Sequence, residues 1–184
     1  MVKPEVRNLE SLPTERPRYT IGQAAQYLRI SNTTLRSWVV GRPYPAGGGS
    51  RYSLPLIARP DEQDPRLSFN NLVEAHVLRA LRTRHKVPMP AARLLQAHLQ
   101  RIDRSIEGLP VRLFPVSIRG LDGPKVVVID PQVSFGRPYI FGKGVRTSTI
   151  VERLDAGESR EDVAHDYGLE DFEIDEAILY ERAA

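Results

Sequence analysis

A set of polar side chains and arginines between residues 32 and 52 has the composition of a surface that contacts nucleic acid. Asparagine, threonine, serine, tyrosine and arginine side chains hydrogen-bond to phosphate oxygens and base edges in DNA complexes. The candidate DNA-binding residues are Asn32, Thr33, Thr34, Arg36, Ser37, Arg42, Arg51 and Tyr52. These residues can act together only if the surrounding elements bring them to one surface.

The stretch from residue 19 to residue 40 predicts two short helices joined by a tight turn. Thr20 and Gln23 form a capping box at the start of the first helix, and Ser31 is a good cap for the second. In the second helix, apolar residues at helical spacing turn inward and leave the polar residues outside: Leu35, Trp38 and Val39. This pattern predicts a helix-turn-helix whose second helix enters DNA. An ordinary helical hairpin with a polar outer face is the alternative.

The segment that follows, residues 41–54, predicts a small β-hairpin beside the second helix. Gly47, Gly48 and Gly49 favour a tight turn, after which residues 51–54 can return as a short strand. Arg42 and Arg51 would then contact phosphates next to the reading helix. A nucleotide-binding glycine loop is excluded because no lysine followed by serine or threonine comes after the glycines.

Four short motifs in this region resemble the DNA-binding head of MerR-type regulators: TIGQAA at 20–25, IS at 30–31, LRSW at 35–38 and RYSL at 51–54. The resemblance implies a winged helix-turn-helix. It extends to two predicted helices, one over residues 68–85 and one that begins near Pro90. In such proteins this helix pair braces the head, and here we expect it to supply the surface of a homodimer.

Composition excludes several classes of protein. The 184 residues contain no cysteine, which removes disulfides, thiolate metal sites and cysteine nucleophiles. No apolar run approaches the roughly 20 residues needed to span a membrane, and no signal peptide opens the chain, so a cytoplasmic protein is expected. The histidines at 76, 85 and 98 lack metal-ligand spacing, and no catalytic constellation is present. We therefore expect no metal, no cofactor and no enzymatic activity.

Charge is distributed unevenly along the chain. Residues 1–129 hold 20 Lys and Arg against 10 Asp and Glu, a net charge of +10, whereas residues 130–184 hold 6 against 13, a net charge of −7. Only the basic part suits nucleic acid. A different partner is expected for the acidic part, although both could simply be solvated surfaces.

The second half of the chain has a different pattern. Residues 111–118 and 126–129 are predicted to form a β-hairpin. Three short helices should follow. The first starts at Thr147, and the second and third are capped by Ser159 and Asp171. Glu173, Asp175, Glu176 and Glu181 are predicted to form an acidic outer face on the last helix. Because DNA would repel this face, the unit should bind protein. Arg146, Arg153 and Arg160 on the earlier helices could provide a second contact, either with DNA or with that protein partner.

The motifs of this half also carry a resemblance: IDP at 129–131, FGRPYI at 135–140, GKGVRT at 142–147, AGES at 156–159 and YGL at 167–169. They resemble the small domain, formerly of unknown function, that occurs in many VapB-type antitoxins. The family commonly has Gly-Gly before the proline, and this chain has Gly136 followed by Arg137. The resemblance implies that the partner is a PIN-domain ribonuclease toxin.

The sequence as a whole predicts a mainly α fold with small β-hairpins. We expect a flexible arm (residues 1–18), a MerR-like DNA-binding and dimerisation domain (19–107), and a β-hairpin followed by a three-helix, helix-turn-helix-like antitoxin domain (108–184). The expected function is that of a type II antitoxin, which neutralises the toxin and binds operator DNA to repress its own transcription. A MerR-like transcriptional regulator without a toxin partner is the alternative.

Overall fold

The computed structural model describes residues 13–92, 112–115, 119 and 123–182. The fold is mainly helical with small antiparallel hairpins, as predicted. Its first unit contains α1 (Ile21–Leu28), α2 (Asn32–Val40), β1 (Arg42–Ala46), β2 (Gly49–Ser53) and α3 (Phe69–Thr83). Its second unit contains β3 (Val127–Val128), a 3-10 turn (Ser134–Gly136), β4 (Tyr139–Ile140), α4 (Thr147–Asp155), α5 (Arg160–Tyr167) and α6 (Asp171–Arg182). Among the described residues, no helix is long and apolar enough to cross a membrane.

The helix-turn-helix forms where its capping residues predicted it. The backbone N–H of Gln23 donates to Thr20 Oγ1 at 3.1 Å, and the Gln23 side chain accepts from the Thr20 N–H at 3.0 Å, which completes the capping box. Arg29 ends α1 in the left-handed conformation, with φ 52°. Leu28 and Leu35 are fully buried between the two helices. Local capping and apolar spacing therefore suffice to specify this motif.

Helix α3 begins after Ser68, also as predicted, because Ser68 Oγ accepts from the backbone N–H of Asn71 at 3.2 Å. The apolar spacing of the sequence predicts that this helix buries Phe69, Leu72, Val73, Val77, Ala80 and Leu81, and the structure agrees only in part. Phe69 and Leu72 are buried as expected, and so are Ala75 and Leu78. The other predicted core residues are only half-buried: Val73, Val77, Ala80 and Leu81. The helix is thus rotated about its axis relative to the prediction.

Two sets of contacts cross the predicted domain boundaries. Within the predicted arm (residues 1–18), Thr14 O accepts from the Asn70 N–H at 3.0 Å. Leu113 and Ile129 lie in the same hydrophobic cluster as the helix-turn-helix, although the prediction assigned them to the second domain. Residues 89–92 are helical, as predicted, and the rest of that predicted helix lies outside the described residues, as do residues 1–12 and 93–111.

Strand pairing in the second unit adds a partner to the predicted hairpin. Leu113 and Ile129, one from each predicted strand, form an antiparallel bridge, and Val127–Val128 pair with Tyr139–Ile140. Residues 111 and 116–118 of the predicted hairpin lie outside the described residues. The three helices α4 to α6 follow as predicted. Helix α6 differs by one residue at its start, because Asp171 is the first helical residue and Glu170 O accepts the first backbone bonds. Ile150, Val163 and Ile174 fill the core between the helices.

The two units are joined by specific contacts. At one side, Arg18 Nη1 donates to Pro131 O at 2.7 Å. At the other, Tyr180 Oη donates to Tyr27 O at 2.9 Å, which joins the end of α6 to the last turn of α1. We call this set of contacts the joint. It holds the second unit directly against the helix-turn-helix.

Burial of Tyr19 at the joint predicts a loss of stability in alkaline solution. The side chain is 3% exposed, and burial raises the pKa of its hydroxyl from 10.0 to about 12, against the opposing effect of the Arg18 charge. Because the folded state holds the proton more tightly than the unfolded chain, stability should be intact below pH 10 and fall as the pH rises to 12. Two pKa units correspond to about 3 kcal/mol.

The measurement is urea unfolding at a series of pH values, with Tyr19→Phe as the comparison. The wild-type protein should lose about 3 kcal/mol more than Tyr19→Phe across this pH range. Tyr27, Tyr139 and Tyr180 also have raised pKa values, and they remain in both proteins. Parallel pH profiles for the two proteins would contradict the burial of the Tyr19 hydroxyl.

Candidate nucleic-acid interface

The outer face of α2 carries the polar residues that the sequence predicts. Asn32, Thr33 and Arg36 are exposed, whereas Thr34 and Ser37 are half-buried. Two of the five make bonds within the helix: the Thr34 N–H donates to the cap Ser31 Oγ at 3.2 Å, and Ser37 Oγ donates to Thr34 O at 2.7 Å. Arg36, with its long exposed side chain, is therefore the residue of this helix best placed to reach a base edge.

The wing, formed by β1 and β2, lies against the end of α2. Tyr52 Oη donates to Val40 O at 2.8 Å and ties the two elements together. Gly41 makes the close passage possible, because a methyl group there would lie 2.3 Å from Ser53 O. In the strand register Arg42 pairs with Ser53 and Tyr44 pairs with Arg51, so both arginines fall on one face of the hairpin. They are exposed and can follow a phosphate backbone together.

A groove of about 1040 Å³ lies between α2, the wing and the C-terminal end of α3. Five arginines line it: Arg29, Arg36, Arg42, Arg79 and Arg82. No aspartate or glutamate lines it in the described part of the chain. This arginine-lined groove, as we call it below, is a concave, strongly cationic surface of the kind that attracts polyanions.

The structure brings most of the predicted site residues to this groove. Those that line it are Thr33, Thr34, Arg36, Ser37, Arg42 and Tyr52, and the two that do not are Asn32 and Arg51. The sequence did not predict the contributions of Arg29, Arg79 and Tyr44. Arg79 and Arg82 are three positions apart at the end of α3, a spacing that places them on one side of the helix and could have indicated a basic stripe.

Arg29 and Arg79 lie deeper than the other groove arginines. Arg29 Nη2 donates to Leu179 O at 3.2 Å, and its guanidinium lies 5.2 Å from the ring centroid of Tyr180. Burial lowers the pKa of Arg29 from its usual value. Burial also lowers the pKa of Arg79, and the nearby positive charge of Arg29 lowers it further. Both arginines line the groove, and the charge of one disfavours the charge of the other.

The three arginines predicted as a second contact in the C-terminal unit already have partners. Arg153 Nε lies 2.9 Å from Glu158 Oε1, and Arg153 Nη2 lies 2.7 Å from Asp166 Oδ2. Arg160 Nη2 lies 2.8 Å from Asp175 Oδ1. The third arginine, Arg146, lies 6.0 Å from the ring centroid of Phe135. Contact of Arg153 or Arg160 with a partner would therefore compete with bonds within the unit.

The predicted acidic outer face of α6 is wrong for two of its four residues. Glu173 and Glu176 are 7% and 6% exposed. Glu176 pairs with Arg119 at 2.8 Å, and the Glu173 carboxylate accepts from the Glu170 N–H at 2.8 Å. Glu181 is half-buried and accepts from Thr147 Oγ1. The helix buries residues 173, 176, 177 and 180 as one stripe, so its net negative charge does not form the solvent-facing surface that the sequence predicted.

Comparison with known proteins supports a DNA-binding helix-turn-helix in the first unit. Residues 17–95 match a family model described as "Putative DNA-binding HTH domain". Residues 127–180 match one described as "Protein of unknown function (DUF433)". The first match gives the helix-turn-helix without assigning it to the MerR type.

Two proteins and one crystal structure, all from Mycobacterium tuberculosis, are similar to this chain. It is 26% identical to one named "Putative antitoxin VapB45", across 88% of this chain and 92% of that protein. It is 44% identical over 54 residues to the uncharacterized protein Rv2308, across 29% of this chain and 23% of that protein. The crystal structure of Rv2018 covers 91% of this chain and 100% of its own, at 24% identity and a TM-score of 0.59. The fold therefore has a counterpart in an experimental structure.

Proposed function

We propose that this protein is the antitoxin of a type II toxin–antitoxin pair. In this proposal a MerR-like head binds operator DNA as a homodimer and represses transcription of its own gene. The C-terminal unit binds and neutralises a PIN-domain ribonuclease. The protein itself is a cytoplasmic regulator, not an enzyme. The similarity to the protein named VapB45, which extends over most of both chains, supports this assignment.

The observation that carries the DNA-binding half is the arginine-lined groove beside α2 and the wing. Duplex DNA presents one negative charge per roughly 1.7 Å of its axis, and arginines that neutralise phosphates supply most of the non-specific affinity. The groove combines such arginines with the exposed Arg36, which can also read a guanine edge. Base reading and phosphate contact are thus available on adjoining surfaces.

The observation that supports a protein partner is an exposed aromatic side chain on a strained turn. Phe135 is 79% exposed and has a φ of 56°, between Ser134 at 48° and Gly136 at 71°. A non-glycine residue in this conformation costs roughly 1–2 kcal/mol, and such strain is often found at functional positions. Arg146 lies beside the ring, and Arg137, the next residue after the turn, is exposed. An aromatic anchor between arginines suits a partner with an apolar pocket bordered by carboxylates.

The DNA-binding half predicts different effects for Arg36 and Arg51. If Arg36 reads a base, Arg36→Ala should cost about 1–3 kcal/mol on the specific site and relax sequence preference at one position. Arg51→Ala should weaken binding to all sequences alike and flatten the salt dependence by about one unit. Both variants are compared with wild type by fluorescence anisotropy on the upstream region of the gene and on random duplex DNA. If both variants lost the same affinity on both DNAs and had the same salt dependence, Arg36 and Arg51 could not be assigned to base reading and phosphate contact.

The alternative, a MerR-like regulator without a toxin, differs in its partner. A neighbouring gene for a small PIN-domain protein, whose product is toxic alone and harmless when expressed with this protein, supports the antitoxin. Operator binding without any such neutralisation would leave the regulator as the correct assignment.

A further inference from the structure

The deepest part of the arginine-lined groove contains two arginines from two different elements. Arg29 belongs to the turn of the helix-turn-helix, and Arg79 belongs to α3. Both side chains are half-buried and line the same groove, where repulsion between like charges is weakly screened. The lowered pKa of Arg79 reflects this proximity, after the larger effect of burial. A pair of this kind opposes folding unless a negative group compensates it.

Several donors of this pair have no acceptor among the described residues. Nε and Nη1 of Arg29 and Nη1 of Arg79 are buried without a hydrogen-bond partner there. A buried donor without an acceptor costs about 1–3 kcal/mol, and more when the group is charged. The remaining nitrogen of the Arg29 guanidinium, Nη2, donates to Leu179 O. These donors are closed to solvent in the free protein, so a phosphate in the groove would bond to them once the two side chains turn toward it. Guanidinium groups match the geometry of phosphate oxygens.

The surroundings of the pair determine which anion can reach it. Arg29 and Arg79 line the same groove as Arg36, and Arg82 lines it from the next turn of α3. Tyr180 covers the face of the Arg29 guanidinium on the side of the second unit, which leaves the groove as the open side. A phosphate that enters there lies next to the residues of α2 that would contact bases.

We infer that Arg29 and Arg79 form the binding site for one phosphate group of the DNA backbone and anchor the duplex beside α2. This inference rests on the DNA-binding function proposed above and adds to it two residues that sequence analysis did not assign. Since a phosphate carries no sequence information, the site should contribute equally on specific and random DNA.

The experiment compares Arg79→Ala with Arg84→Ala in the full-length protein. Arg84 is a matched control because it is an exposed arginine at the end of the same helix and does not line the groove. Affinity for random duplex DNA is measured between about 50 and 200 mM salt. Arg79→Ala should bind roughly tenfold more weakly and reduce the slope of log K against log salt by about 0.9, the value for one lost phosphate contact. Arg84→Ala should match the wild-type slope.

The possible outcomes separate this inference from the proposed function. Wild-type protein without salt-dependent DNA binding would overturn the proposed function. Wild-type binding with an unchanged slope in Arg79→Ala would overturn the inference alone. Arg79→Lys provides a second variant if the alanine variant does not fold: it keeps the charge and the slope but loses the two-pronged geometry, so affinity should still fall.

A second measurement separates a DNA phosphate from a free anion. Inorganic phosphate is titrated into the DNA-free protein in a chloride buffer, and thermal stability is recorded for wild type and Arg79→Ala. Stabilisation of the wild type alone, together with the altered DNA slope, supports the site as proposed. Stabilisation of the wild type alone with an unaltered DNA slope would show that the site holds a free anion, and would overturn the assignment to the DNA backbone.

Discussion

Replacement of Gly136 by alanine should destabilise this protein far more than the same replacement at Gly144. Both glycines have a left-handed backbone, with φ of 71° and 73°. A methyl group at Gly136 would lie 2.2 Å from Tyr19 Oη and 3.0 Å from Arg18 Nη1, whereas one at Gly144 meets nothing within 4 Å. Tyr19 is buried and cannot move away freely.

The two variants share the conformational cost of about 1–2 kcal/mol. Only Gly136→Ala adds overpacking of a buried contact, which typically costs a further 1–3 kcal/mol, roughly. We therefore expect a loss of about 1–2 kcal/mol for Gly144→Ala and of about 2–5 kcal/mol for Gly136→Ala. Urea unfolding of both variants provides the measurement. Equal losses would mean that Gly136 does not pack against Tyr19 in solution.

The elements that the sequence predicted well are those specified by neighbouring residues. The capping box of Thr20 and Gln23 and the cap at Ser31 act over three positions, so they can be recognised without knowledge of the fold. Gly168, which ends α5 with φ 60°, is equally local. The helix-turn-helix and the three C-terminal helices were predictable for this reason.

The features that the sequence did not predict depend on residues far apart in the chain. Arg119 neutralises Glu176 across 57 positions, so a charge count along α6 overestimates what the helix presents to solvent. The bond from Tyr180 to Tyr27 O spans 153 positions. The predicted two-domain boundary could not include it, because hydropathy patterns contain no information on which surfaces meet.

The candidate DNA-binding site also has a part that the sequence predicted and a part that only the fold brings together. The types of the α2 and wing residues predicted a DNA-contacting surface, and the structure brings six of the eight to one groove. From the sequence, Arg29 could be placed only in a turn and Arg79 only on the outer face of a helix. Neither position indicated that the two side chains share a site. Only the packing of α3 beside the turn brings both side chains to that groove.

Phe135 provides the sharpest test of the proposed protein partner. Its replacement should leave the folded protein as stable or more stable, because backbone strain is removed, and should weaken binding of the partner. Replacement by glycine removes the left-handed cost of roughly 1–2 kcal/mol and adds a backbone entropy cost of roughly 0.5–1 kcal/mol. The 79% exposed ring contributes little burial to the folded protein alone. We therefore expect Phe135→Gly to leave the free energy of unfolding unchanged or to raise it by up to about 1 kcal/mol.

Binding should change in the other direction. If the ring is the anchor for the toxin, Phe135→Gly and Phe135→Ala should each lose at least about 2 kcal/mol of binding, roughly 30-fold in Kd. Calorimetry with the proposed PIN-domain toxin measures the affinity, and growth on co-expression measures neutralisation. Phe172→Ala is the matched control, because Phe172 is 48% exposed on α6 in the same unit but has no Arg146 beside it in the described structure. Wild-type neutralisation by both Phe135 variants, or an equal loss in Phe172→Ala, would move the toxin contact away from this turn. A protein that becomes as stable or more stable while it loses its partner would show that the strain at residues 134–136 serves binding.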